Sequence, residues 1–198
     1  MQPLRIFVRP FATIGGLALA LCLVLPHLLA TTLEQLGLGQ MISGSTAIVR
    51  ARVGAASGVV RNGNVFTIYP LDVLDQWKLQ NGRIAPHELA VPGGVAGGIR
   101  QPVSGAPQLR AGQEYVLFLW QGKSGLTQLM GLSQGLFLVS APDGRRENAE
   151  AVQAPASDEM LDRTGRRVQS AAMSIRLSAL KARVAKASLE GAQGGGAR

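Results

Sequence analysis

The sequence predicts a mainly all-β fold, a small barrel or sandwich with a short N-terminal helix and a C-terminal amphipathic helix. Three observations carry that prediction. Beyond residue 44, apolar and polar residues alternate with period 2, the mark of a half-buried strand. Glycine- and asparagine-rich turns break the chain into short segments spaced roughly 8–12 residues apart. One run, Tyr115-Val116-Leu117-Phe118-Leu119-Trp120, is apolar throughout and is read as the most buried strand.

The first thirty residues stand apart. Arg5 and Arg9 precede an apolar run over 11–25, and Leu28-Leu29-Ala30 follows it. A basic head, an apolar centre and a small final residue form the pattern of a secretory signal peptide, so residues 1–30 are assigned to export and the protein is expected to be secreted or periplasmic. Cleavage is placed between Ala30 and Thr31. The alternative is an uncleaved 11–29 anchor in a membrane-held envelope protein, although Gly15-Gly16 and Pro26-His27 interrupt the run. The single cysteine, Cys22, lies inside it. The chain beyond residue 30 therefore has neither a thiol nucleophile nor a disulfide, and its core alone must hold it together.

Residues 31–43 are predicted as a short helix, with Thr31 and Glu34 spaced as a capping box and Leu33, Leu36 and Met41 or Ile42 inward. A strand over 45–53 places Ala47, Val49, Ala51 and Val53 on one face and Arg50 and Arg52 on the other. Arg61-Asn62-Gly63-Asn64 supplies a hairpin turn, because Asn and Gly tolerate positive φ. The next strand covers 65–74, with Pro70 marking an edge or a bulge. Gln80-Asn81-Gly82 turns into a short strand over 87–91. Residues 92–107 are glycine-rich, either a loop or a strand around 98–103, and a ligand groove is placed along them. Strands over 126–132 and 136–140 are paired as a final hairpin through Ser133-Gln134-Gly135, which completes a β domain over 31–141.

Residues 142–165 read as a polar linker. An amphipathic helix over 166–190 follows, with Met173, Leu177, Leu180, Val184 and Ala187 along one face, and 191–198 is a disordered tail. Docking of this helix on the barrel or on a partner is favoured over peripheral contact with an anionic membrane. Of the formal net charge of +8, Arg5 and Arg9 supply +2 and the remaining +6 is shared by the domain and the tail, a modest basic balance compatible with an anionic surface.

Motifs for catalysis are thin. Gly131-Leu132-Ser133-Gln134-Gly135 fits the G-x-S-x-G pattern of a hydrolase elbow, but that chemistry needs a strand-to-helix turn and a strand pattern follows here. His87 is the one histidine beyond residue 30 that could serve Ser133 as a base. With one histidine and no thiol, a zinc site would draw on Glu34, Asp72, Asp75, Glu88 and Glu114, which show no ligand spacing. Gly122-Lys123-Ser124 lacks the earlier glycine of a phosphate loop, since position 117 is Leu117. Among the aromatics, Trp77 beside Lys78 is the best surface candidate, and most of the others, set in apolar strand runs, read as core. No cofactor, metal or catalytic residue is assigned.

As a set, Ser45-Thr46-Ala47-Ile48-Val49-Arg50-Ala51-Arg52-Val53, Asp72-Val73-Leu74-Asp75-Gln76-Trp77-Lys78, Val91-Pro92-Gly93-Gly94, Ser104-Gly105-Ala106-Pro107, Gly112-Gln113-Glu114-Tyr115-Val116-Leu117-Phe118-Leu119 and the 131–135 motif resemble a family of uncharacterised exported bacterial proteins. The same order is more distantly similar to netrin-like domains, including tissue inhibitors of metalloproteinases. That resemblance implies a small OB-like barrel. Those inhibitors act through an N-terminal cysteine and disulfides, which the chain beyond residue 30 lacks. The function expected is an exported, non-catalytic binding or accessory module with a protein or envelope ligand and no nucleic acid. The alternative is a secreted serine hydrolase using Ser133 and His87.

Overall fold

The computed structural model of the chain describes residues 33–80, 83–141, 143–154, 160–162, 164–168 and 172–194. The export segment, the Ala30–Thr31 bond, the Thr31 half of the expected capping box and the tip of the 80–82 turn lie outside the described residues. The described chain is mostly β, built on open and largely antiparallel sheets.

Strand β1 (Leu33–Glu34) precedes helix α1 (Leu38–Gly44), which is shorter than the predicted 31–43. Its N-cap is Gly37, whose N–H donates to Gln40 Oε1 at 2.9 Å. Gln40 therefore supplies the cap that the spacing assigned to Glu34. At the other end Lys78 Nζ donates to the carbonyls of Ile42 and Ser43 at 2.6 and 3.2 Å, a cation on the negative pole of the helix. Burial lowers the pKa of that ammonium.

Strand β2 (Ala47–Val53) and strand β3 (Ser57–Arg61) both run antiparallel to the 16-residue strand β4 (Asn64–Leu79). β3 pairs with the first part of β4 up to Ile68, and β2 takes over from Leu71. Pro70 stands at that handover, where a missing N–H costs no ladder bond on this side. The hairpin turn forms as predicted, with Asn62 and Gly63 at φ of 52° and 77°. Strand β5 (Glu88–Pro92) pairs with the other edge of β4 over residues 66–70.

The glycine-rich stretch is a small hairpin of β6 (Gly94–Ala96) and β7 (Ile99–Gln101), turning at Gly97-Gly98 with both φ positive. It packs backbone to backbone, since a Cβ on Gly58 of β3 would lie 1.9 Å from the Val95 carbonyl oxygen.

Strand β8 (Glu114–Gln121) joins the other edge of β2. Strands β9 (Thr127–Leu129) and β10 (Leu136–Ser140) both pair antiparallel with β8, Leu129 opposite Leu119 and Leu136 opposite Leu117. They run in the same direction, so the predicted hairpin between them is corrected. They are one line of chain, interrupted by the 130–135 loop. Phe118 closes that loop at both ends: its N–H donates to the Gly135 carbonyl and its carbonyl accepts from the Met130 N–H, each at 2.9 Å.

The region predicted as a linker extends the sheet. After a turn of 3-10 helix (Arg146–Asn148), β11 (Glu150–Gln153) pairs with β10, and β14 (Met173–Arg176) pairs with β11. Between them, β12 (Met160–Leu161) pairs in parallel with β1 and antiparallel with β13 (Arg167–Val168). The C-terminal helix α2 (Leu177–Gly194) thus begins eleven residues later than predicted, and Met173 belongs to a strand. Its step of four to Leu177 fits a helix, but Met173 and Ile175 fit period 2 equally well, and pairing with β11 decides between them.

Two cores lie on opposite faces of the sheet. One gathers Val49, Ala51, Val53, Tyr69, Leu71, Leu89, Val91, Tyr115, Leu117, Leu119 and Leu129. The other gathers Met41, Ile42, Ile48, Val116, Phe118, Phe137 and Ala151 with Leu180 and Val184 of α2. The unbroken apolar run in β8 follows directly, because alternate residues feed different cores. Helix α2 docks on the sheet, with Leu180 and Val184 fully buried. Among the described residues, no helix is long and apolar enough to cross a membrane.

Candidate functional site

Among the described residues, β5 and β9 are each bonded on one side only, to β4 and β8. Where their other sides approach, the surface opens into a cavity of about 490 Å³, lined by Ala90, Val91 and Pro92 from β5, by Trp120 from β8, and by residues 128–132. That volume lies within the range of small-ligand sites, and the lining is largely apolar. Trp120, predicted as core, is 38% exposed here. Trp77, predicted as the surface aromatic, is half-buried against the second core, and its Nε1 donates to Asp75 Oδ2 at 2.9 Å. The signal that could have separated them is position: Trp120 lies one residue beyond the reach of β2, whose last β8 partner is Leu119.

The lip of the cavity is the G-x-S-x-G sequence. Leu132 is held at φ 63°, which costs a non-glycine residue about 1 kcal/mol. Gln134 fixes the conformation from beneath. Its buried side chain accepts from the Leu36 N–H at 2.7 Å and donates to the Glu34 carbonyl at 2.9 Å. Gln153 Nε2 donates to its backbone carbonyl. Sequence reasoning passed over Gln134, although a buried amide matching a backbone N–H and C=O is a natural clamp. Ser133 occupies the turn itself, its N–H bonded to the Gly131 carbonyl at 2.8 Å, and the chain proceeds into β10.

His87 is exposed at the start of β5 and lines a different cavity, of about 680 Å³, with Thr46, Arg83, Pro86, Glu88 and Gln121. No hydrogen bond joins it to Ser133 among the described residues. Four of the five candidate carboxylates are engaged by cations: Asp72 and Glu114 share Arg52 at 4.0 and 2.8 Å, Glu88 lies 3.7 Å from Arg61 and Asp75 2.7 Å from Lys181. Among the described residues, no group of three or more His, Cys, Asp or Glu side chains could hold a metal ion.

The groove expected along residues 92–107 is a cavity of about 330 Å³ that shares Val91 and Pro92 with the larger one. Two of its polar side chains hold the loop: Gln101 Oε1 accepts from the Val65 N–H at 2.8 Å, and Thr67 Oγ1 donates to the Gly93 carbonyl at 2.8 Å. No protein-family model matches this chain, and no curated protein is significantly similar to it.

Proposed function

We propose that the chain is an exported, non-catalytic binding or accessory module, an OB-type barrel left open at one seam, which takes an apolar ligand group between β5 and β9. The strand order supports the barrel reading: β5–β4–β2–β8–β9 runs around one core, and its two ends, β5 and β9, lie parallel without bonding. The single observation that carries the binding reading is the apolar cavity at this seam, with the half-exposed Trp120 on its wall. The separation of Ser133 from a base favours binding over hydrolysis.

The test uses Trp120 as reporter in a Trp77→Phe background, with 1-anilinonaphthalene-8-sulfonate as probe. Saturable quenching is expected, weakened about tenfold or more by Leu132→Asp, which places a charge on the apolar wall. A non-saturable response, or one indifferent to Leu132→Asp, overturns the reading. Export is tested separately by sequencing the N-terminus of the protein recovered from the cell envelope, where Thr31 is the expected first residue.

A further inference from the structure

Glu114 and Trp120 stand at opposite ends of β8, about 20 Å apart at the usual rise per residue. At the Glu114 end lies a separate cavity of about 330 Å³, lined by Arg50, Arg52, Gln113, Glu114, Val139 and Arg146 among others. Three arginines and one carboxylate line it, while Arg52 also reaches Asp72 at 4.0 Å and Arg50 stands opposite Asp75 on the neighbouring strand. Glu114 is committed to Arg52, with Oε1 accepting from Nη2 at 2.8 Å. Arg50 Nη1 remains 3.9 Å from Glu114 Oε2, beyond hydrogen-bond length. The Arg50 Nε–H is buried and has no hydrogen-bond partner. Arg146, on the turn of 3-10 helix, forms no ion pair among the described residues. The nearby Asp143 carboxylate accepts instead from the Arg145 N–H and from Asn148 Nδ2, at 2.9 and 2.6 Å.

We propose that this cavity binds an oxyanion group, a phosphate or a carboxylate carried by a small ligand. A buried N–H without an acceptor is unfavourable, and a shift of the Arg50 side chain toward an oxyanion in the cavity would give it one. The guanidinium fork matches two oxygens of one anion at once. Arg50 supplies the largely buried floor and the exposed Arg146 an arm at the rim. Glu114 and Asp72 hold Arg52, Glu114 and Asp75 offset part of the Arg50 charge, and Arg146 brings the further positive charge to the rim.

The experiment titrates the full chain with inorganic phosphate and, separately, with acetate, at ionic strength held constant with chloride. It follows the amide signals of Gln113 and Val139. Saturable binding of at least one probe is expected, weakened about tenfold or more in R146A and in R50Q, since each removes charge-assisted bonds. R146A alters an exposed side chain and keeps the fold, so it decides the matter even if R50Q unfolds. Saturation by phosphate alone identifies a phosphorylated ligand, and saturation by acetate identifies a carboxylate ligand. Failure of both probes to saturate, or R146A affinity equal to the parent's, overturns the proposal.

Discussion

Lys181 Nζ lies 2.7 Å from Asp75 Oδ2, an ion pair that joins residues 106 positions apart and ties α2 to β4. Burial alone would raise the Asp75 carboxyl. The hydrogen bonds from Lys181 and Trp77, with the charges of Lys181 and Arg50, outweigh it and hold the group below its ordinary 3.8. Its folded pKa is then below its unfolded one, so the folded state binds fewer protons in acid. The contribution is complete above the unfolded value and drains away as pH falls through the lower folded value. Asp75→Asn is expected to flatten the acid limb of the stability curve in that window, as measured by denaturant unfolding at stepped pH. At neutral pH, Lys181→Met should cost no more than about 1 kcal/mol, because the pair is half-exposed.

The docking of α2 rests on carbon rather than charge. Leu180→Ala removes a fully buried side chain between the helix and the Phe118–Phe137 layer, and should cost about 2–5 kcal/mol. Leu189→Ala, on the same helix but 66% exposed, should stay within about 0.5 kcal/mol of the parent. Equilibrium unfolding of the two variants side by side checks the contrast.

Gln134→Leu leaves the Leu36 N–H and the Glu34 carbonyl without their partner. A loss of about 1–3 kcal/mol is expected. Hydrogen exchange at the Leu36 amide should accelerate more than exchange in β8, because β1 is released before the sheet.

Two glycine replacements should have opposite signs. A Cβ at Gly135 would sit 2.8 Å from the Phe118 carbonyl oxygen and 3.1 Å from Met130 backbone atoms, so Gly135→Ala must displace the closure of the loop. It should destabilise by about 1–3 kcal/mol. Gly39, inside α1, has nothing within 4 Å of that position, and Gly39→Ala should stabilise by roughly 0.5–1 kcal/mol. Melting temperatures report both.

Patterns that depend on local chemistry were legible in the sequence. The Asn62-Gly63 turn, the alternation of β2 and the burial of β8 follow from side-chain period and φ preference. The Leu180–Val184 stripe was legible too, because both residues repeat on one helical face. What escaped was set by long-range pairing. Residues 150–153 are few and only half apolar, and they are a strand because the free edge of β10 lies beside them. The strands at 127–129 and 136–140 looked like the arms of a hairpin, since nothing in their composition records that both lean on β8 in one direction. The cavity between β5 and β9 was illegible for a similar reason: it is made by two strand edges that do not meet.

The double closure of the 130–135 loop by Phe118 separates what the loop is from what the sheet needs. Both ends are secured to one residue, so replacing or lengthening residues 131–133 would leave the pairing on either side in place. Each doubling of that segment would add only about 0.6 kcal/mol of closure entropy. The frame can therefore stay constant while the lip of the cavity diversifies, which makes this short excursion the natural place for selection, or a protein engineer, to reshape that cavity.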